Sequence, residues 1–525
     1  MNRTIADLIL EQLAAYGVKY LFGVIGDAIF PLADALARQE KIRFIPATIE
    51  TTAAFMASFA ARLSGNLSVC TGTSGPGAAN LANGVGDAFL DGLPLLCITG
   101  QVTSDKLGTD YKQYINQTEF FEAITGKSRL CTHPGTVIPI LTGLINQALA
   151  YQTTVHLEIP QDILGQTTDA QIAPAMQPLV DLGCSKLVYG PLNQVLGMME
   201  QAKNPVIIIG KKACPFAAIL KSFAESFGAA LVISRECKGT IPDENPLVIG
   251  GIGEAYLPRC FPETDLLLLF GEAVYEERFF PPKARIVQFR NSIHPGPGKY
   301  LEITGDYDRI LREIRNKFPQ IIPRDEWRSQ IETAHQERIQ AATQPGDPRH
   351  PLRFFQSLSR VLADDALVTL DVGEFVYWFD LGFLAKNQTV LLSTNWRSMG
   401  AGLPAGIAAA IHEPGRRVVS ITGDGGFLMS LAELATIQRF HLPLTVFVLR
   451  NQCYGLEIQK MTREKMEPFG TDLVLPDLLK LAEAFSFKGF RITSPENSSG
   501  IIQEALENAP ALVDVEVNPE TLPWL

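Results

Sequence analysis

The stretch that decides the fold is Val418-Val419-Ser420-Ile421-Thr422-Gly423-Asp424-Gly425-Gly426-Phe427. Its first five residues form a short, largely apolar run, which predicts a buried strand leading directly into a glycine-rich turn. Glycines let the backbone approach a phosphate closely, and a following helix would direct its N–H groups at that phosphate. Because Asp424 would repel a bare phosphate, its presence indicates a bridging cation. The stretch therefore predicts a parallel α/β sheet with a phosphate and metal site at the carboxyl end of this strand.

A second strand end carries further oxygen ligands. The apolar run 444–449 predicts a strand that ends at Arg450-Asn451-Gln452-Cys453, and Asn451 follows Asp424 by 27 residues. Magnesium prefers oxygen ligands in near-octahedral geometry and readily shares phosphate oxygens. Asp424, the side-chain carbonyl of Asn451 and the backbone carbonyl of Cys453 could supply three of them. Taken alone, the Gly-Asp-Gly turn has an alternative interpretation as a tight surface turn.

Three blocks of alternating strand and helix patterns follow one another along the chain. In the first block, a helix pattern at 51–63 lies among short apolar strand patterns such as 67–71 and 93–99. Apolar strands separated by helices are typical of a parallel sheet that is covered on both faces. We therefore predict an α/β fold of three doubly wound parallel-sheet domains. Their predicted bounds are 1–165, 184–323 and 350–525.

The composition argues against several classes of protein. The chain has 525 residues and a net charge of −11, whereas nucleic-acid binding needs a basic surface, so no nucleic-acid partner is expected. No stretch reaches the roughly 18 apolar residues of a membrane span, and the first residues do not resemble a secretory signal, so no membrane association is expected. The eight cysteines include no C-x-x-C pair and the seven histidines are dispersed. We therefore expect reduced thiols, a cytoplasmic location and no zinc site.

The Gly423-Asp424-Gly425 motif with Asn451 resembles the signature of thiamine-diphosphate enzymes, in the family of 2-oxo acid decarboxylases, acetolactate synthases and pyruvate oxidases. That signature ends in an asparagine pair, of which Arg450 replaces the first member. An independent match is Thr48-Ile49-Glu50, which precedes an alanine-rich helix pattern. The resemblance implies that Glu50 lies against the pyrimidine ring of the cofactor and promotes deprotonation of the thiazolium C2. The alternative for Glu50 is a helix N-terminal residue favoured only by the macrodipole.

Further family segments occur in both outer thirds of the chain. The segment Arg397-Ser398-Met399-Gly400 resembles the one that holds the cofactor bent, with Met399 between the two rings and backbone at Arg397 and Met399 on the pyrimidine. The alternative for Met399 is a core-filling side chain. The run 71–81 resembles an acetolactate synthase loop, and 371–375 resembles the loop that begins the diphosphate-binding domain.

These matches assign a role to each predicted domain. By resemblance, 1–165 is pyrimidine-binding, 350–525 is diphosphate-binding, and 184–323 is a middle domain of degenerate nucleotide-binding type. The implied metal ligands are Asp424, Asn451 and Cys453. The implied cofactor-binding residues are Glu50, Gly373, Glu374, Arg397, Met399, Gly423, Asp424, Gly425, Gly426 and Asn451.

Members of this family decarboxylate a 2-oxo acid to an enamine, and the protein decides what the enamine meets next. Asp27 and Glu457 match a decarboxylase pair, which predicts that the enamine is protonated and released as an aldehyde. Two carboxyls that face one site can share a proton. The alternative places Glu457 on a solvated helix face.

Gln113, at the end of Gly108-Thr109-Asp110-Tyr111-Lys112-Gln113, resembles the synthases and oxidases instead. Lys112 at that position would favour an additional anionic group on the substrate, unless it is an ordinary surface residue. The expected catalytic residues are thus Glu50, Asp27, Glu457 and Gln113. A 2-oxo acid decarboxylase is the first hypothesis, an acetolactate-synthase-like carboligase the second, and a degenerate paralogue without activity the third.

The expected cofactors are thiamine diphosphate and Mg²⁺. FAD is not expected, because 208–212 and 288–291 depart from the flavin-binding patterns of the synthases and oxidases. The expected partner is a small-molecule 2-oxo acid. The resemblance also implies a homodimer or homotetramer with active sites at the subunit interface.

Overall fold

The computed structural model describes residues 3–175, 188–250, 258–272, 279–291, 299–318, 323–343, 347–494 and 498–522. The chain forms two compact units. The first unit comprises Met1–Val180, Leu392–Ser420 and Gly426–Leu444. The second unit comprises Asp181–Leu391, Ile421–Gly425 and Thr445–Leu525.

The first third of the chain forms a six-stranded sheet. Its strands are β1 Tyr20–Gly23, β2 Arg43–Pro46, β3 Ser68–Gly72, β4 Leu95–Gln101, β5 Lys127–Leu130 and β6 Thr154–Pro160. Its helices are α1 Ile5–Ala15, α2 Phe30–Ala37, α3 Glu50–Ser64, α4 Pro76–Leu90, α5 Gln117–Glu122, α6 Val137–Tyr151 and α7 Gln161–Leu164. The strand order is β2-β1-β3-β4-β6-β5, and all neighbouring strands are parallel. The central strands β3, β4 and β6 are buried along their whole length, as expected for a sheet covered on both faces.

Helices α3 and α4 cross at very close range in this first unit. A Cβ atom added at Gly84 of α4 would lie 2.4 Å from the carbonyl carbon of Ala54 and 2.4 Å from the backbone nitrogen of Phe55 in α3. Only glycine fits at such a crossing. The contact matters for function because Glu50 begins α3 and the glycine-rich loop after β3 leads into α4.

The middle third forms a second six-stranded sheet. Its strands are β7 Pro205–Ile209, β8 Ala230–Ile233, β9 Val248–Gly250, β10 Leu266–Phe270, β11 Arg285–Arg290 and β12 Leu301–Thr304. Its helices are α8 Leu192–Gln201, α9 Ala217–Phe227, α10 Tyr307–Lys317 and α11 Asp325–Thr343. The order β12-β11-β10-β7-β8-β9 is again parallel throughout.

A disulfide joins Cys214 and Cys237, whose Cα atoms are 5.3 Å apart. The prediction of reduced thiols is therefore wrong for this pair. The two residues follow the neighbouring parallel strands β7 and β8, so they meet beyond the carboxyl ends of these strands although 23 residues separate them in sequence. The free cysteines among the described residues are Cys70, Cys97, Cys131, Cys260 and Cys453.

The last third forms a third six-stranded sheet with the order β14-β13-β15-β16-β18-β17. These strands are β13 Leu367–Leu370, β14 Thr389–Leu392, β15 Val418–Gly423, β16 Leu444–Arg450, β17 Lys488–Ile492 and β18 Ala511–Glu516. The helices of this third are α12 Pro351–Val361, α13 Phe375–Gly382, α14 Gly402–His412, α15 Asp424–Ser430, α16 Leu434–Phe440, α17 Gly455–Arg463, α18 Leu478–Ala484 and α19 Ser499–Glu507. The opening stretch of the sequence thus forms β15 and the start of α15, at the centre of this sheet.

The predicted fold class is confirmed: the protein is an α/β protein with three parallel sheets of six strands each. The predicted domain bounds stay predictions, and the boundary at 184 lies outside the described residues. Within the described ranges, every helix is too short or too polar to cross a membrane.

Candidate active site

Glu50 stands at the first position of α3 and is 8% exposed. Asn80 on α4 donates a hydrogen bond from Nδ2 to Glu50 Oε2, at 3.1 Å. Thr51 ties the same two helices together, since its hydroxyl donates to the Asn80 carbonyl at 2.8 Å. The carboxylate is thus held at a defined place on the helix N-terminus, where its charge is favoured by the helix dipole.

The loop between β3 and α4 wraps around Glu50 because it has glycines where side chains would collide. A Cβ atom at Gly72 would lie 3.3 Å from Glu50 Cγ, and one at Gly77 would lie 3.0 Å from Glu50 Oε1. The same Gly77 position lies 2.8 Å from Cγ2 of Thr73. Glu50 and Thr73 therefore face the same small opening beside the start of α4.

Asp27 reaches this loop through Thr73. The Thr73 hydroxyl donates to Asp27 Oδ1 at 3.1 Å, and the backbone N–H of Ala28 donates to the same oxygen at 2.9 Å. Gly26 allows the approach, since a Cβ atom there would lie 2.6 Å from Thr73 Cβ. The exposed Asp27 carboxylate is therefore fixed, and it is open to a ligand.

Gln113 packs against the same loop from another side. Its backbone is left-handed, with φ of 62°, and its carbonyl oxygen lies 2.7 Å from the position of a Cβ atom on Gly75. Its exposed side chain is free to contact a ligand. The structure thus brings Glu50, Asp27 and Gln113 together around one loop. The sequence alone does not show that they are neighbours.

The segment 393–398 is attached to one face of α4. Ser393 donates to Asp87 Oδ1 at 2.6 Å, and the Trp396 indole N–H donates to Asn83 Oδ1 at 2.6 Å. Asn395 donates to Asp91 at 2.8 Å, which completes a row of three polar residues spaced four apart. Burial raises the pKa of the Asp87 carboxyl. The row fixes the backbone that leads into Arg397 and Met399.

Arg397 has a left-handed backbone, with φ of 54°, and an exposed side chain. Ser398 donates its hydroxyl to the carbonyl of half-buried Met399, at 3.1 Å. Both Arg397 and Met399 belong to the first unit, as Glu50 does.

Glu433 is a fully buried carboxylate that anchors the start of α3. Its Oε1 accepts hydrogen bonds from the backbone N–H of Thr48 at 2.9 Å and from the hydroxyls of Thr48 and Thr52. Its Oε2 accepts from Thr436 at 2.5 Å. Glu433 thus binds the residue before the N-cap and a hydroxyl in the first turn of α3, which fixes the turn carrying Glu50.

The predicted metal ligands lie in the second unit. Asp424 is 3% exposed, and its Oδ2 accepts from the backbone N–H groups of Asn451 at 3.2 Å and Gln452 at 2.6 Å. Burial raises the pKa of Asp424. The Cys453 N–H donates to Asn451 Oδ1 at 3.2 Å, so hydrogen bonds join the three predicted ligands where β15 and β16 end. Arg450 instead pairs with Asp514 and Glu516 on β18, each at 2.8 Å, and has a structural role.

Glu374 lies beside this loop. Its Oε1 accepts from the Glu520 N–H at 2.9 Å, while its buried Oε2 has no hydrogen-bond partner among the described residues. That oxygen lies 2.2 Å from the position of a Cβ atom on Gly455. Burial raises the pKa of Glu374 to about 7. The ring of Phe375 packs on Gly423 and Gly373, whose added Cβ atoms would lie 3.4 and 2.8 Å from it.

Glu457 lies on α17 with 57% of its side chain exposed and pairs with Lys460 at 2.8 Å. This is the solvated helix face that the sequence leaves open as the alternative. Glu457 belongs to the second unit and Asp27 to the first.

The residues fit thiamine diphosphate and magnesium in their chemistry. Asp424, Asn451 and the Cys453 carbonyl form a hard oxygen set, which magnesium prefers. The buried, unpaired oxygen of Glu374 lies against Gly455, two residues after Cys453 of that set. In the described part of the chain, His, Cys, Asp and Glu side chains form no cluster of three that would hold a transition metal.

Sequence reasoning missed the residues that hold the candidates in place. Thr73 and Asn80 occur in a recognised loop, but no pattern indicates that they bind Asp27 and Glu50. The spacing Asn83-x₃-Asp87-x₃-Asp91 is a signal that could have been found, because four-residue spacing puts polar groups on one helix face. Glu433 has no such signal.

Comparisons with known proteins agree with this arrangement. Three family descriptions match: "Thiamine pyrophosphate enzyme, N-terminal TPP binding domain" over residues 3–120, the central domain over 192–314 and the C-terminal TPP binding domain over 371–515. A probable acetolactate synthase large subunit of Methanocaldococcus jannaschii is 30% identical over 99% of this chain and 93% of its own length. A putative thiamine pyrophosphate-containing protein of Bacillus subtilis is 28% identical over 99% of this chain and 92% of its own.

The acetolactate synthase isozyme 1 large subunit of Escherichia coli is 27% identical over 98% of this chain and 94% of its own length. Similarity of this extent spans all three sheets and both groups of site residues. The chain belongs to the family of thiamine-diphosphate-dependent enzymes.

Proposed function

We propose that the protein decarboxylates a 2-oxo acid with thiamine diphosphate and Mg²⁺ as cofactors. When bound, thiamine diphosphate would supply a nucleophilic carbon and an electron sink for decarboxylation of a 2-oxo acid. The observation that carries the proposal is the buried Glu50, held by Asn80 beside a glycine loop that packs closely against it. Glu50 would exchange a proton with the pyrimidine N1′.

The turn after β15 and the loop after β16 would hold the charged end of the cofactor. Asp424, Asn451 and the Cys453 carbonyl are proposed to bind Mg²⁺, and the backbone of Gly423, Gly425 and Gly426 to contact the diphosphate. Gly373 and Glu374 are proposed to contact the cofactor here as well. Since the pKa of Glu374 is about 7, its carboxyl can keep a proton and donate it to a phosphate oxygen.

We propose that the reaction ends with protonation and release of an aldehyde. Asp27 is the proposed proton donor, because Thr73 holds its carboxylate on the loop that surrounds Glu50. Glu457 remains a proposed partner of Asp27, and its ion pair with Lys460 would have to open for that role.

A second candidate is a carboligase of the acetolactate synthase type. Two observations favour it: Gln113 packs against the same loop, and relatives that span the chain are named acetolactate synthases. In this case Gln113 would orient a second carbonyl substrate. For either reaction, we propose a homodimer or homotetramer with active sites at the subunit interface. No FAD requirement, no nucleic-acid partner and a cytoplasmic location are proposed as well.

The test is a panel of 2-oxo acids, incubated with and without acceptor aldehydes and 2-oxo acids, with carbon dioxide and products read by mass spectrometry. Wild-type protein with thiamine diphosphate and Mg²⁺ should release carbon dioxide, and Glu50→Gln should lose most of that activity. Aldehyde as the main product supports the first candidate. Acetohydroxyacid as the only product would overturn it in favour of the second.

A further inference from the structure

A long connection carries Gln113 to the glycine loop between β3 and α4. It runs over residues 102–116, from the end of β4 to the start of α5, and its middle part, 108–113, is exposed. Ordered connections of this length are uncommon in compact domains and usually have a function. The Gln113 carbonyl oxygen lies 2.7 Å from the position of a Cβ atom on Gly75, so the connection and the glycine loop touch here.

The connection ends at a buried pair of polar residues, Gln101 and Glu158. Gln101 is the last residue of β4, and Glu158 lies in β6, the parallel strand beside it. Gln101 is fully buried and Glu158 is 2% exposed. Gln101 Nε2 donates to Glu158 Oε1 at 2.7 Å and to the backbone carbonyl of Ile115 at 3.0 Å. Gln101 thus fastens the connection to the sheet two residues after Gln113.

The side-chain amide of Gln101 has only one favourable orientation. Its Oε1 accepts from the backbone N–H of Val102 at 2.8 Å, while Nε2 donates to Glu158 and Ile115. The reversed amide would set its oxygen against two other acceptors, the carboxylate and the carbonyl. Glu158 therefore selects the orientation in which Gln101 holds Ile115.

Glu158 also holds the end of the connection directly. Its Oε2 accepts a hydrogen bond from the hydroxyl of Thr118, in the first turn of α5, at 2.8 Å. These partners, Gln101 and Thr118, are neutral, and burial raises the pKa of the Glu158 carboxyl. Because burying a carboxyl costs free energy, an apolar residue would suit this strand better if packing were the only requirement.

The other end of the connection is anchored beside the same strand. Ser104 donates its backbone N–H to Asp162 Oδ1 at 2.8 Å and its hydroxyl to Oδ2 at 2.6 Å. Asp162 lies on α7, which follows β6 directly. Between the two anchors, Gln113 is two residues from Ile115, a span of at most about 7 Å. A displacement of Ile115 is therefore passed on to Gln113.

We propose that Glu158 is a positioning residue for Gln113. By orienting Gln101 and binding Thr118, it fixes the backbone that sets Gln113 against the glycine loop. The inference rests on the proposed function, and in particular on the contact of Gln113 with a substrate. Glu158 is buried beneath the connection, so its effect on the reaction passes through Gln113.

The test compares Gln113→Ala, Glu158→Ala and the double variant as holoenzymes, with a panel of 2-oxo acids and acceptors. Glu158→Ala should lower kcat/KM about tenfold, since a displacement of about 1 Å can cost up to 100-fold. Where two products form, their ratio should change in the same direction as in Gln113→Ala. Because Glu158 acts through Gln113, adding Glu158→Ala to Gln113→Ala should cost less than about twofold more.

The conservative variant separates position from charge. Glu158→Gln keeps both hydrogen bonds, since its amide oxygen can accept from Gln101 and its NH₂ group can donate to the Thr118 hydroxyl. It should stay within about twofold of wild type in kcat/KM. If Glu158→Ala does not fold, Gln101→Met, which removes both Nε2 bonds, replaces it with the same expectations.

His156→Gln is the matched control. His156 lies two residues before Glu158, on the same face of β6, and it bonds to Thr99 and Ser128 rather than to the connection. This variant should leave kcat/KM and the product ratio unchanged.

Hydrogen–deuterium exchange measures the anchoring without any activity. In Glu158→Ala, exchange in a peptide covering residues 114–122 should be about tenfold faster, the effect of one lost hydrogen bond. Gln117 still donates to the Gly100 carbonyl at 3.1 Å, so the connection should loosen without unfolding. A peptide covering 48–56 should exchange as in wild type.

Four results would overturn the inference: independent, additive losses in the double variant, equal damage in Glu158→Gln and Glu158→Ala, unchanged exchange over 114–122, or full activity in Gln113→Ala. Each of them leaves decarboxylation by the wild type standing. Absence of carbon dioxide release from every 2-oxo acid by the wild type would instead overturn the proposed function.

Discussion

Replacing Glu433 with alanine should loosen the start of α3 and displace Glu50. Glu433 is fully buried, and its carboxylate accepts hydrogen bonds from Thr48, Thr52 and Thr436. A hydrogen bond to a charged group contributes about 1.5–3 kcal/mol, and a buried donor left unpaired costs about 1–3 kcal/mol. Allowing for water that enters the vacated space, we expect Glu433→Ala to lower the free energy of opening this turn by about 3 kcal/mol.

Hydrogen–deuterium exchange read by mass spectrometry measures this opening directly. A loss of about 3 kcal/mol corresponds to exchange roughly 100-fold faster in a peptide covering residues 48–56, since each 1.4 kcal/mol is a factor of ten. Glu433→Gln keeps the volume and one acceptor oxygen, so its effect should be smaller. Thr436→Val removes only the bond to Oε2 and serves as the matched control. Unchanged exchange over 48–56 in Glu433→Ala would refute the role of Glu433 as the anchor of the start of α3.

Three further perturbations test the fold and its titrating groups. Gly84→Ala should prevent the close packing of α3 on α4 and sharply lower the melting temperature, because the new Cβ would lie 2.4 Å from backbone atoms of Ala54. The control is Gly143→Ala in α6, whose Cβ would meet no atom within 4 Å. That variant should raise the free energy of unfolding by about 0.5–1 kcal/mol. Burial raises the pKa of Glu374 from 4.5 to about 7. As the pH rises from 4.5 to 7, the free energy of unfolding of the metal-free protein should therefore fall by up to about 3 kcal/mol. Urea titrations at several pH values measure this dependence, and Glu374→Gln should remove it. Burial lowers the pKa of His156 from 6.5 to about 3. As the pH falls from 6.5 to about 5, only the unfolded chain takes up this proton, so the free energy of unfolding should fall by about 2 kcal/mol. In His156→Gln the free energy of unfolding should depend less on pH over this range.

The sequence predicts those elements of the fold whose burial is uniform. The apolar run 418–422 corresponds to β15, and the helix pattern 51–63 corresponds to α3 at 50–64. The capping box of Thr4 and Asp7 at the start of α1 is a signal of the same kind, since its two residues are three apart in sequence. Each of these signals is local, so no knowledge of distant contacts is needed to find it.

Other strands escape prediction for physical reasons. The edge strands β5 and β17 expose polar residues to solvent, so they lack a continuous apolar run. β6 is buried throughout, yet it contains His156 and Glu158. These polar residues are satisfied in the interior by hydrogen bonds, His156 to Thr99 and Ser128, and Glu158 to Gln101 and Thr118. Burial that depends on partners in other strands cannot be read from the strand itself.

In the candidate site, too, the sequence reveals individual residues but does not reveal their arrangement. Glu50, Asp27 and Gln113 are found singly, because the short segments that contain them resemble segments of a known family. Their common neighbourhood depends on the absence of Cβ atoms at Gly72, Gly75 and Gly77, which becomes meaningful only in three dimensions. Glu433 lies 385 residues from Thr48 in sequence, so its role could not be inferred before the fold was known.

The central claim is that Glu50 activates the cofactor, and the most direct test is proton exchange at the thiazolium C2 of bound thiamine diphosphate. Quenched-flow deuterium exchange with NMR detection measures this rate without any substrate. In Glu50→Gln the rate should fall by roughly 100-fold or more, the size of a lost general acid–base contribution, while calorimetry gives a Kd within a few-fold of wild type. An unchanged exchange rate in a variant that still binds the cofactor would contradict the account.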